Sequence, residues 1–265
     1  MASTESLRIE RDGRVAHVVL NRPHVHNAFD AELIGRLTEA FRSLGSEPEV
    51  RVIVLRGEGR SFCAGADLHW MRESASWDEA DNLADAHRFA AMLQAVDRCP
   101  KPVVARVHRL ALGGGAGLVC CADIAVAEEG ARFAFSEARL GILPAVISPF
   151  VLRRIGPGHA RALFLSAERF DAARALRIGL VDEVVPAEQL DAAVAAHVGS
   201  LLECGPRAQA EIKELVRRVS WRAPEEVAQL TAATIARVRA SEEGKEGIRA
   251  FLDKREPSWR VRQGG

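Results

Sequence analysis

Three consecutive glycines, Gly113, Gly114 and Gly115, interrupt an apolar stretch at residues 100–123 and limit its possible folds more than any other feature. The residues before them are rich in β-branched side chains, which predicts a buried strand. The residues after them are small and apolar, which predicts a buried helix. Glycines at such a junction let the backbone approach a ligand closely and direct its N–H groups at it. The stretch therefore predicts a strand, a turn that faces a ligand, and a helix.

The N-terminal part of the chain alternates between strand-like and helix-like segments. Residues 7–20 predict two short strands around the turn at Asp12 and Gly13. Asp30 is expected to cap a helix that ends before Gly45, and V-R-V-I-V-L-R from Val50 predicts a buried strand. Strand, helix and strand in this order are typical of a βαβ-like unit, so the predicted fold class is α/β.

Further elements are expected on both sides of the glycines. Residues 77–97 predict an amphipathic helix with Leu83, Phe89 and Leu93 on or near its apolar face. Hydrophobic spacing also predicts strands at residues 123–127, 131–135 and 181–185, and helices at residues 147–155 and 171–178.

From residue 190 onward the pattern is helical only. Four charged, alanine-rich segments follow one another without a strand between them, at residues 190–203, 206–219, 224–239 and 241–255. We therefore divide the chain into residues 1–190, a core that carries the functional site, and residues 191–265, an all-helical region. Such an appendage commonly serves packing or oligomerisation.

Composition argues against several classes of function. Thirty-six basic residues balance thirty-six acidic residues, so no overall field favours nucleic acid or a membrane surface. The chain has five cysteines, an odd number, and no two of them form a C-x-x-C motif. The histidines are not spaced as metal ligands are, so no metal is expected. No apolar run reaches the roughly 18 residues of a membrane-spanning helix, and no leader is recognisable. We expect a reduced, cytoplasmic protein.

Familiar glycine and nucleophile motifs do not fit the sequence. L-G-G-G-A-G-L lacks the register of G-x-G-x-x-G, which disfavours a dinucleotide site, and no Gly-Lys-Ser/Thr follows as in a phosphate-binding loop. Neither Ser61 nor Cys63 lies in a G-x-S-x-G turn or beside an obvious base. Covalent catalysis is therefore disfavoured.

Two small-residue loops instead suggest chemistry through an anion. F-C-A-G-A-D from Phe62 and L-G-G-G-A-G from Leu112 each follow a strand-like run and can each present a backbone N–H. Two such donors that converge on one point form an oxyanion hole for an enolate or a tetrahedral anion. Either loop alone is more often a tight packing turn, but Glu137 downstream in F-S-E-A-R adds a carboxylate and makes the combination specific.

These motifs together resemble the crotonase superfamily, the enoyl-CoA hydratase/isomerase family. The resemblance extends over nearly the whole chain, and it includes L-N-R-P-H-V-H-N-A-F from Leu20, S-A-E-R-F-D from Ser166 and A-F-L-D-K-R near the end. It implies a spiral of ββα units followed by a C-terminal helical region, assembled as trimers or as a dimer of trimers. It also implies an acyl-CoA thioester as the substrate, with no separate cofactor.

The resemblance implies roles for particular residues. The backbone N–H groups of Ala66 and Gly114 match the donors to the thioester oxygen, and Glu137 matches an acid/base group. Phe251 and Lys254 match an aromatic residue and a cation near the adenosine 3′-phosphate, often from a neighbouring subunit. The backbone segments that match the adenine and pantetheine contacts contain Ala28, Ala64, Asp67 and Leu68.

One position departs from the family pattern and leaves the reaction open. Typical hydratases carry a second glutamate where this chain has Gly117. A single base suffices to isomerise a 3-enoyl to a 2-enoyl thioester, whereas hydration with Glu137 alone requires that it both orient the water and supply the proton, or that another group assist. The sequence around Gly117 is similar to that of bacterial methylglutaconyl-CoA hydratases, in which glycine is usual at this position. Those enzymes act in the breakdown of leucine or isoprenoids. Arg139 or His69 is a candidate partner for a substrate carboxylate.

We therefore expect a hydratase, with an isomerase as the alternative. A catalytically reduced scaffold that binds acyl-CoA or RNA is the alternative of another class. The two intact loops and the retained Glu137 argue against a loss of chemistry, and the zero net charge argues against an RNA-binding role.

Overall fold

The chain begins with the βαβ-like unit that the sequence predicts, in a computed structural model that describes residues 5–260. The first two strands form an antiparallel hairpin with Leu7 opposite Leu20, and the third strand pairs with the second in parallel. The helix between them starts where the Asp30 carboxylate accepts a hydrogen bond from the N–H of Leu33, 2.8 Å away. The bounds are β1 Leu7–Asp12, β2 Val15–Leu20, α1 Ala31–Ser46 and β3 Val52–Gly57.

The role predicted for Gly45 is wrong. This glycine lies inside α1, which continues to Ser46 and is followed by Glu47 in extended conformation. A Cβ at position 45 would lie 3.0 Å from Cδ of Pro100. Close packing against Pro100, rather than the end of the helix, therefore explains the glycine.

The central segment confirms the strand, turn and helix predicted around the glycines. Two strands precede the glycines, and every residue of the following helix from Gly115 to Cys121 is buried. The expected face of the preceding helix is only partly correct, because Leu93 is buried whereas Leu83 is 57% exposed. The bounds are α2 Leu68–Ser74, α3 Glu79–Asp97, β4 Val103–Val107, β5 Leu110–Leu112 and α4 Gly114–Cys121.

Residues 124–185 contribute four strands, two to each of the two sheets of the protein. The helix predicted at residues 147–155 ends at Gly156, whose φ of +74° and ψ of 161° are not helical, and a second helical segment follows from Pro157 to Ser166, so that α5 consists of two helices joined by a sharp kink. The bounds are β6 Ile124–Glu128, β7 Arg132–Ala134, α5 Ser148–Ser166, β8 Phe170–Asp171, α6 Ala172–Arg177 and β9 Glu183–Val185.

Within residues 5–260 the strands form two sheets. One has the order β1-β2-β3-β4-β6-β9 and is parallel except for the β1 hairpin, and the other has the order β5-β7-β8. A large apolar core fills the space between the sheets and helices α1, α3, α4 and α5. The short strand β5 therefore holds the glycine turn at the edge of this core.

Between β9 and residue 260 the chain forms helices and no further strand, as predicted. α7 packs on the outer face of the larger sheet, where Leu190, Val194 and Val198 contact valines of β2, β3, β4 and β6. The division of the chain at residue 190 stays a prediction. The helix that begins there, α7, packs directly on the larger sheet. The bounds are α7 Leu190–Leu202, α8 Pro206–Val219, α9 Pro224–Ala240 and α10 Glu242–Leu252. None of the helices in residues 5–260 combines the length and the apolar character needed to cross a membrane.

Candidate active site

The two small-residue loops lie side by side. Cys63 pairs with β5, since its N–H donates to Leu110 O at 2.9 Å and its carbonyl accepts from Leu112 N at 3.0 Å. Gly65, with φ of +91°, makes this approach possible, because a Cβ there would lie 2.8 Å from Leu112 O. The turn before α2 and the turn before α4 are therefore held against each other.

The backbone N–H groups of Ala66 and Gly114 are available to a ligand. The N–H of Phe29 donates to Gly65 O at 2.7 Å, and Phe29 O accepts from the N–H of Asp67 at 2.9 Å. The carbonyl before Ala66 and the N–H after it are therefore both hydrogen-bonded. The N–H of Ala66 itself has no acceptor in the part of the chain that the structure describes. Gly114 is the first residue of α4, so its N–H has no partner within the helix. Both residues line one cavity.

This cavity has a volume of about 190 Å³ and mostly apolar walls. The rings of Phe29 and Phe89 meet edge to face, with centroids 5.5 Å apart. A Cβ at Gly114 would lie 2.8 Å from Cζ of Phe89, so any other residue at this position would have to displace the Phe89 ring. The remaining lining residues are Ala66, Trp70, Glu137, Leu143, Pro144, Ala145, Val146 and Ile147.

A larger open groove, of about 1400 Å³, lies on the opposite face of the larger sheet beside α7. Its walls include His17, Arg56, Arg106 and Asp191. It contains none of the residues for which the sequence predicts a role.

Glu137 brings a carboxyl group to the small cavity. It follows β7 and begins a short 3-10 turn that ends at Leu140. Its Oε1 lies 3.3 Å from the position of a Cβ on Gly113, which has φ of +50°. Burial raises the pKa of Glu137 above its ordinary value of 4.5, and a hydrogen bond from its own backbone N–H opposes this only in part. Oε2 is buried and has no hydrogen-bond partner among the described residues.

Gly117 faces an isoleucine. A Cβ at position 117 would lie 2.4 Å from Cγ2 and 2.8 Å from Cβ of Ile147. Ile147 is buried, precedes α5 and lines the cavity. The space that a side chain at position 117 would need is therefore filled, so a glutamate could not be added there without displacing Ile147.

The residues expected at the coenzyme A moiety lie outside the cavity walls. Ala28 is buried, Ala64 is half-buried and Leu68 is exposed. The Asp67 carboxylate accepts from the N–H of His69 at 2.7 Å and pairs with Arg22 at 3.0 Å, so its side chain is already engaged. Burial acts to raise the pKa of Asp67, but hydrogen bonds from the His69 and Trp70 N–H groups and the charge of Arg22 outweigh it and lower that pKa.

The remaining candidates are on the surface. Phe251, near the end of α10, is 83% exposed, and Lys254 follows with φ of +53°. Arg139 is exposed, and His69 pairs with Glu73 at 3.4 Å on the outer side of α2. The structure therefore brings together Ala66, Gly114 and Glu137, whereas neither Arg139 nor His69 lines the cavity.

Comparison with known proteins establishes the family. The model of the enoyl-CoA hydratase/isomerase family matches residues 10–262. This chain belongs to the enoyl-CoA hydratase/isomerase family. Carnitinyl-CoA dehydratase of Proteus mirabilis is 34% identical over 267 residues, which cover 98% of this chain and 100% of the relative.

Crystal structures of family members share the fold. An enoyl-CoA hydratase from Shewanella pealeana superposes with a TM-score of 0.93 at 40% identity and covers 96% of each chain. An enoyl-CoA hydratase from Mycobacterium smegmatis superposes with a TM-score of 0.91 at 33% identity and covers 97% of this chain and 99% of that one. The crotonase fold expected from the sequence is thus confirmed, and the chain is an enzyme of the hydratase/isomerase family that acts on acyl-CoA thioesters.

Three residues of this family member have local roles that the sequence did not reveal. Arg22 pairs with Asp30 at 2.8 Å and with Asp67 at 3.0 Å. Ile147 fills the space beside Gly117, and Trp70 lines the cavity. Arg22 stands within the family motif L-N-R-P, which could have identified it, whereas the contacts of Trp70 and Ile147 depend on packing between distant segments.

Proposed function

We propose that this chain catalyses the reversible addition of water to a 2-enoyl-CoA thioester. The observation that supports this most directly is the shared cavity, in which two available backbone N–H groups meet a buried carboxyl group. The donors of Ala66 and Gly114 suit the thioester oxygen, where negative charge develops. Removal of one such donor typically costs about 3 to 4 kcal/mol of transition-state stabilisation.

Glu137 serves both proton transfers in this proposal. As a carboxylate it accepts a proton from water while the water oxygen forms a bond to Cβ. The electrons of the carbon–carbon double bond move toward the thioester oxygen, and an enolate forms between the N–H groups of Ala66 and Gly114. Glu137 then returns the proton to Cα, which regenerates the carboxylate and completes the addition of one water molecule.

Isomerisation of a 3-enoyl to a 2-enoyl thioester is the second candidate. It is favoured by the contact between Gly117 and Ile147, because this contact fills the place of a second carboxylate. Glu137 alone would remove a proton from Cα and return it to Cγ, through the same enolate.

The acyl chain is the narrower part of the proposal. The apolar walls suit a short, uncharged chain. The methylglutaconyl chain suggested by the sequence would need a partner for its carboxylate, and no cationic side chain of the described residues lines the cavity. We therefore rank a short enoyl chain first and the branched carboxylated chain second. The absence of a separate cofactor stays a prediction.

The contacts to coenzyme A and the oligomer belong to the same proposal. The backbone at Ala28, Ala64, Asp67 and Leu68 would hold the adenine and pantetheine parts, and Phe251 and Lys254 would approach the adenosine phosphate of a neighbouring subunit. The high exposure of Phe251 supports a contact outside its own chain. A trimer or a dimer of trimers would provide it.

A panel of enoyl-CoA substrates tests the proposed reaction. The conjugated thioester absorbs, so hydration removes the signal of crotonyl-CoA and isomerisation creates a signal from 3-butenoyl-CoA. We expect loss of the crotonyl-CoA signal. A signal only from 3-butenoyl-CoA would replace hydratase by isomerase, and no change with short, branched or dicarboxylic chains would leave a binding protein.

A further inference from the structure

The segment before α2 lies between two other parts of the chain. The carbonyl of Cys63 accepts a hydrogen bond from the N–H of Leu112 in β5, at 3.0 Å. The N–H of the next residue, Ala64, donates to the carbonyl of His26, also at 3.0 Å. These two groups belong to one planar trans peptide and point in opposite directions. β5 and the glycine turn therefore flank the segment on one side, and the residues before α1 flank it on the other.

Phe29 determines the direction of the donor at Ala66. Its N–H donates to Gly65 O at 2.7 Å, and Phe29 forms an isolated parallel bridge with Ala66. Because the carbonyl and the N–H of one trans peptide point in opposite directions, the N–H of Ala66 points away from Phe29, toward the side of the glycine turn. Gly114 begins α4 on that side, and its N lies 3.7 Å from the position of a Cβ on Gly65.

The donor at Gly114 is oriented in the same way, but by its own helix. Gly113 O accepts from the N–H of Gly117 at 3.0 Å, in the first turn of α4. The N–H of Gly114 shares a peptide with this carbonyl, so it points out of the N-terminal end of the helix. The helix thus orients one donor, whereas the other lies in the turn before α2 and depends on the hydrogen bond from Phe29.

The ring of Phe29 lies against the second donor. A Cβ on Gly114 would lie 3.3 Å from Cε2 and 3.4 Å from Cδ2 of Phe29. Phe29 is 1% exposed, and it lines the same cavity as Ala66 and Gly114. One residue therefore adjoins both donors, with its main chain beside Ala66 and its ring beside Gly114.

We propose that Phe29 is a positioning residue that sets the direction and the spacing of the two N–H donors. Its main-chain N–H keeps the N–H of Ala66 turned toward the cavity, and its ring keeps the start of α4 where both donors reach one oxygen. The inference rests on the proposed binding of the thioester oxygen by Ala66 and Gly114. Since the charge on this oxygen grows in the transition state, a misdirected donor lowers kcat more than it weakens binding of a ligand.

The carbonyl stretch of bound butyryl-CoA tests the inference without turnover. Hydrogen bonds to the thioester oxygen lower the stretching frequency, which isotope-edited infrared spectroscopy measures with a ligand labelled at the carbonyl carbon. Replacement of Phe29 by phenyllactic acid exchanges its N–H for an ester oxygen and keeps the ring, whereas Phe29→Leu keeps the N–H and removes the ring. The same two changes at Phe41 are the matched controls, since Phe41 is also 1% exposed in the same core but does not line the cavity.

We expect the wild-type protein to lower the carbonyl frequency of the bound ligand. Both Phe29 variants should bring the frequency back toward that of free butyryl-CoA, and the ester variant should do so most. In the ester variant, kcat for hydration of crotonyl-CoA should fall about 10- to 100-fold. The Kd for butyryl-CoA should stay within about threefold. The Phe41 controls should keep the wild-type frequency.

Other results overturn the inference in recognisable ways. An unchanged frequency in both Phe29 variants would contradict it, and the ester variant decides alone if Phe29→Leu does not fold. Equal changes in the Phe41 controls would reveal a general effect of core packing and would also contradict it. A wild-type protein that does not shift the frequency would contradict the oxyanion site and this inference together. A wild-type protein that shifts the frequency but hydrates no enoyl-CoA would contradict the proposed reaction alone, and the variants would still decide the role of Phe29.

Discussion

Glu137 is the residue whose ionisation controls the proposed chemistry, in either direction of the reaction. Burial raises the pKa of this carboxyl group above 4.5, and only the carboxylate accepts a proton from water or from Cα. Activity should therefore fall as pH decreases through the raised pKa, so its acid limb should lie above the range of an ordinary carboxyl group. The measurement is kcat/KM for crotonyl-CoA as a function of pH, because it reports the ionisation of the free enzyme.

The burial of Glu137 should also make the free energy of unfolding depend on pH. A group whose pKa is higher in the folded than in the unfolded state contributes stability that is fully present below the unfolded pKa and lost as pH rises through the folded pKa. At neutral pH, Glu137→Gln should therefore raise the free energy of unfolding relative to wild type, and the gain should shrink in acid. A variant that is less stable than wild type at neutral pH, together with an acid limb in the ordinary carboxyl range, would show that Glu137 is well solvated.

At the scale of elements, the contact between α4 and the residue before α5 determines how many carboxylates the cavity can hold. Gly117→Ala removes a helix-interior glycine, which alone would stabilise the helix by about 1 kcal/mol. The added Cβ would lie 2.4 Å from Ile147, and such overpacking costs about 1 to 3 kcal/mol. We expect net destabilisation in urea unfolding.

Ile147→Ala provides the matched test of this contact. In the double variant with Gly117→Ala, the two changes should be coupled, so that the destabilisation is smaller than the sum of the single effects. Additive effects would show that Ile147 does not limit position 117. Gly117→Glu should likewise fold better with Ile147→Ala than alone.

Arg22 connects the starts of two helices. Its guanidinium pairs with Asp30, which caps α1, and with Asp67, which caps α2, and it donates a hydrogen bond to Ala28 O. Arg22→Met should leave two partly buried carboxylates without their cation and cost about 2 to 4 kcal/mol of unfolding free energy. Because Asp67 is adjacent to Ala66, the variant should also lower kcat for hydration.

A surface pair supplies the control for Arg22. Arg217→Met removes an exposed ion pair with Glu214 and should change stability by less than about 1 kcal/mol. If Arg22→Met were equally mild in both stability and kcat, Arg22 would not position the turn that carries Ala66.

The sequence predicted the elements well where the signal is local. The β-branched run at β3 and the small residues of α4 depend on their own neighbours, and both elements form as expected. Gly45 and Leu83 were assigned wrongly because the contact with Pro100 and the exposure of one end of α3 arise from tertiary packing.

The candidate site shows the same limit. Ala66, Gly114 and Glu137 were found from motifs, and the structure places them in one cavity. Ile147 and Trp70 were not found, because only the folded chain shows which side chain fills the space beside a glycine and which residues line the cavity.

At the scale of the whole molecule, the C-terminal helices expose apolar side chains that suit self-association. Ile248 and Leu252 on α10 are exposed beside Phe251, and Ile212 and Val216 are exposed on α8. Burial of such side chains in an interface is favourable at about 25 cal/mol per Å². We expect a trimer or a hexamer by sedimentation equilibrium, and we expect Ile248→Asp with Leu252→Asp to shift the protein toward smaller species.

Substitution of exposed residues outside these helices is the control for assembly. Leu165→Asp on α5 changes an exposed apolar residue outside the C-terminal helices and should leave the mass unchanged. A wild-type protein that is monomeric at all concentrations would contradict the predicted assembly and the placement of Phe251 and Lys254 at a neighbouring coenzyme A.

Comparison of wild type and Glu137→Gln in the hydration of crotonyl-CoA tests the central claim most directly. Loss of absorbance gives the rate, and calorimetric titration with butyryl-CoA gives the binding. The single carboxylate predicts that the variant loses about 10²- to 10⁴-fold in kcat while binding remains within about threefold. A variant that hydrates crotonyl-CoA at the wild-type rate would contradict the assignment of the proton transfers to Glu137.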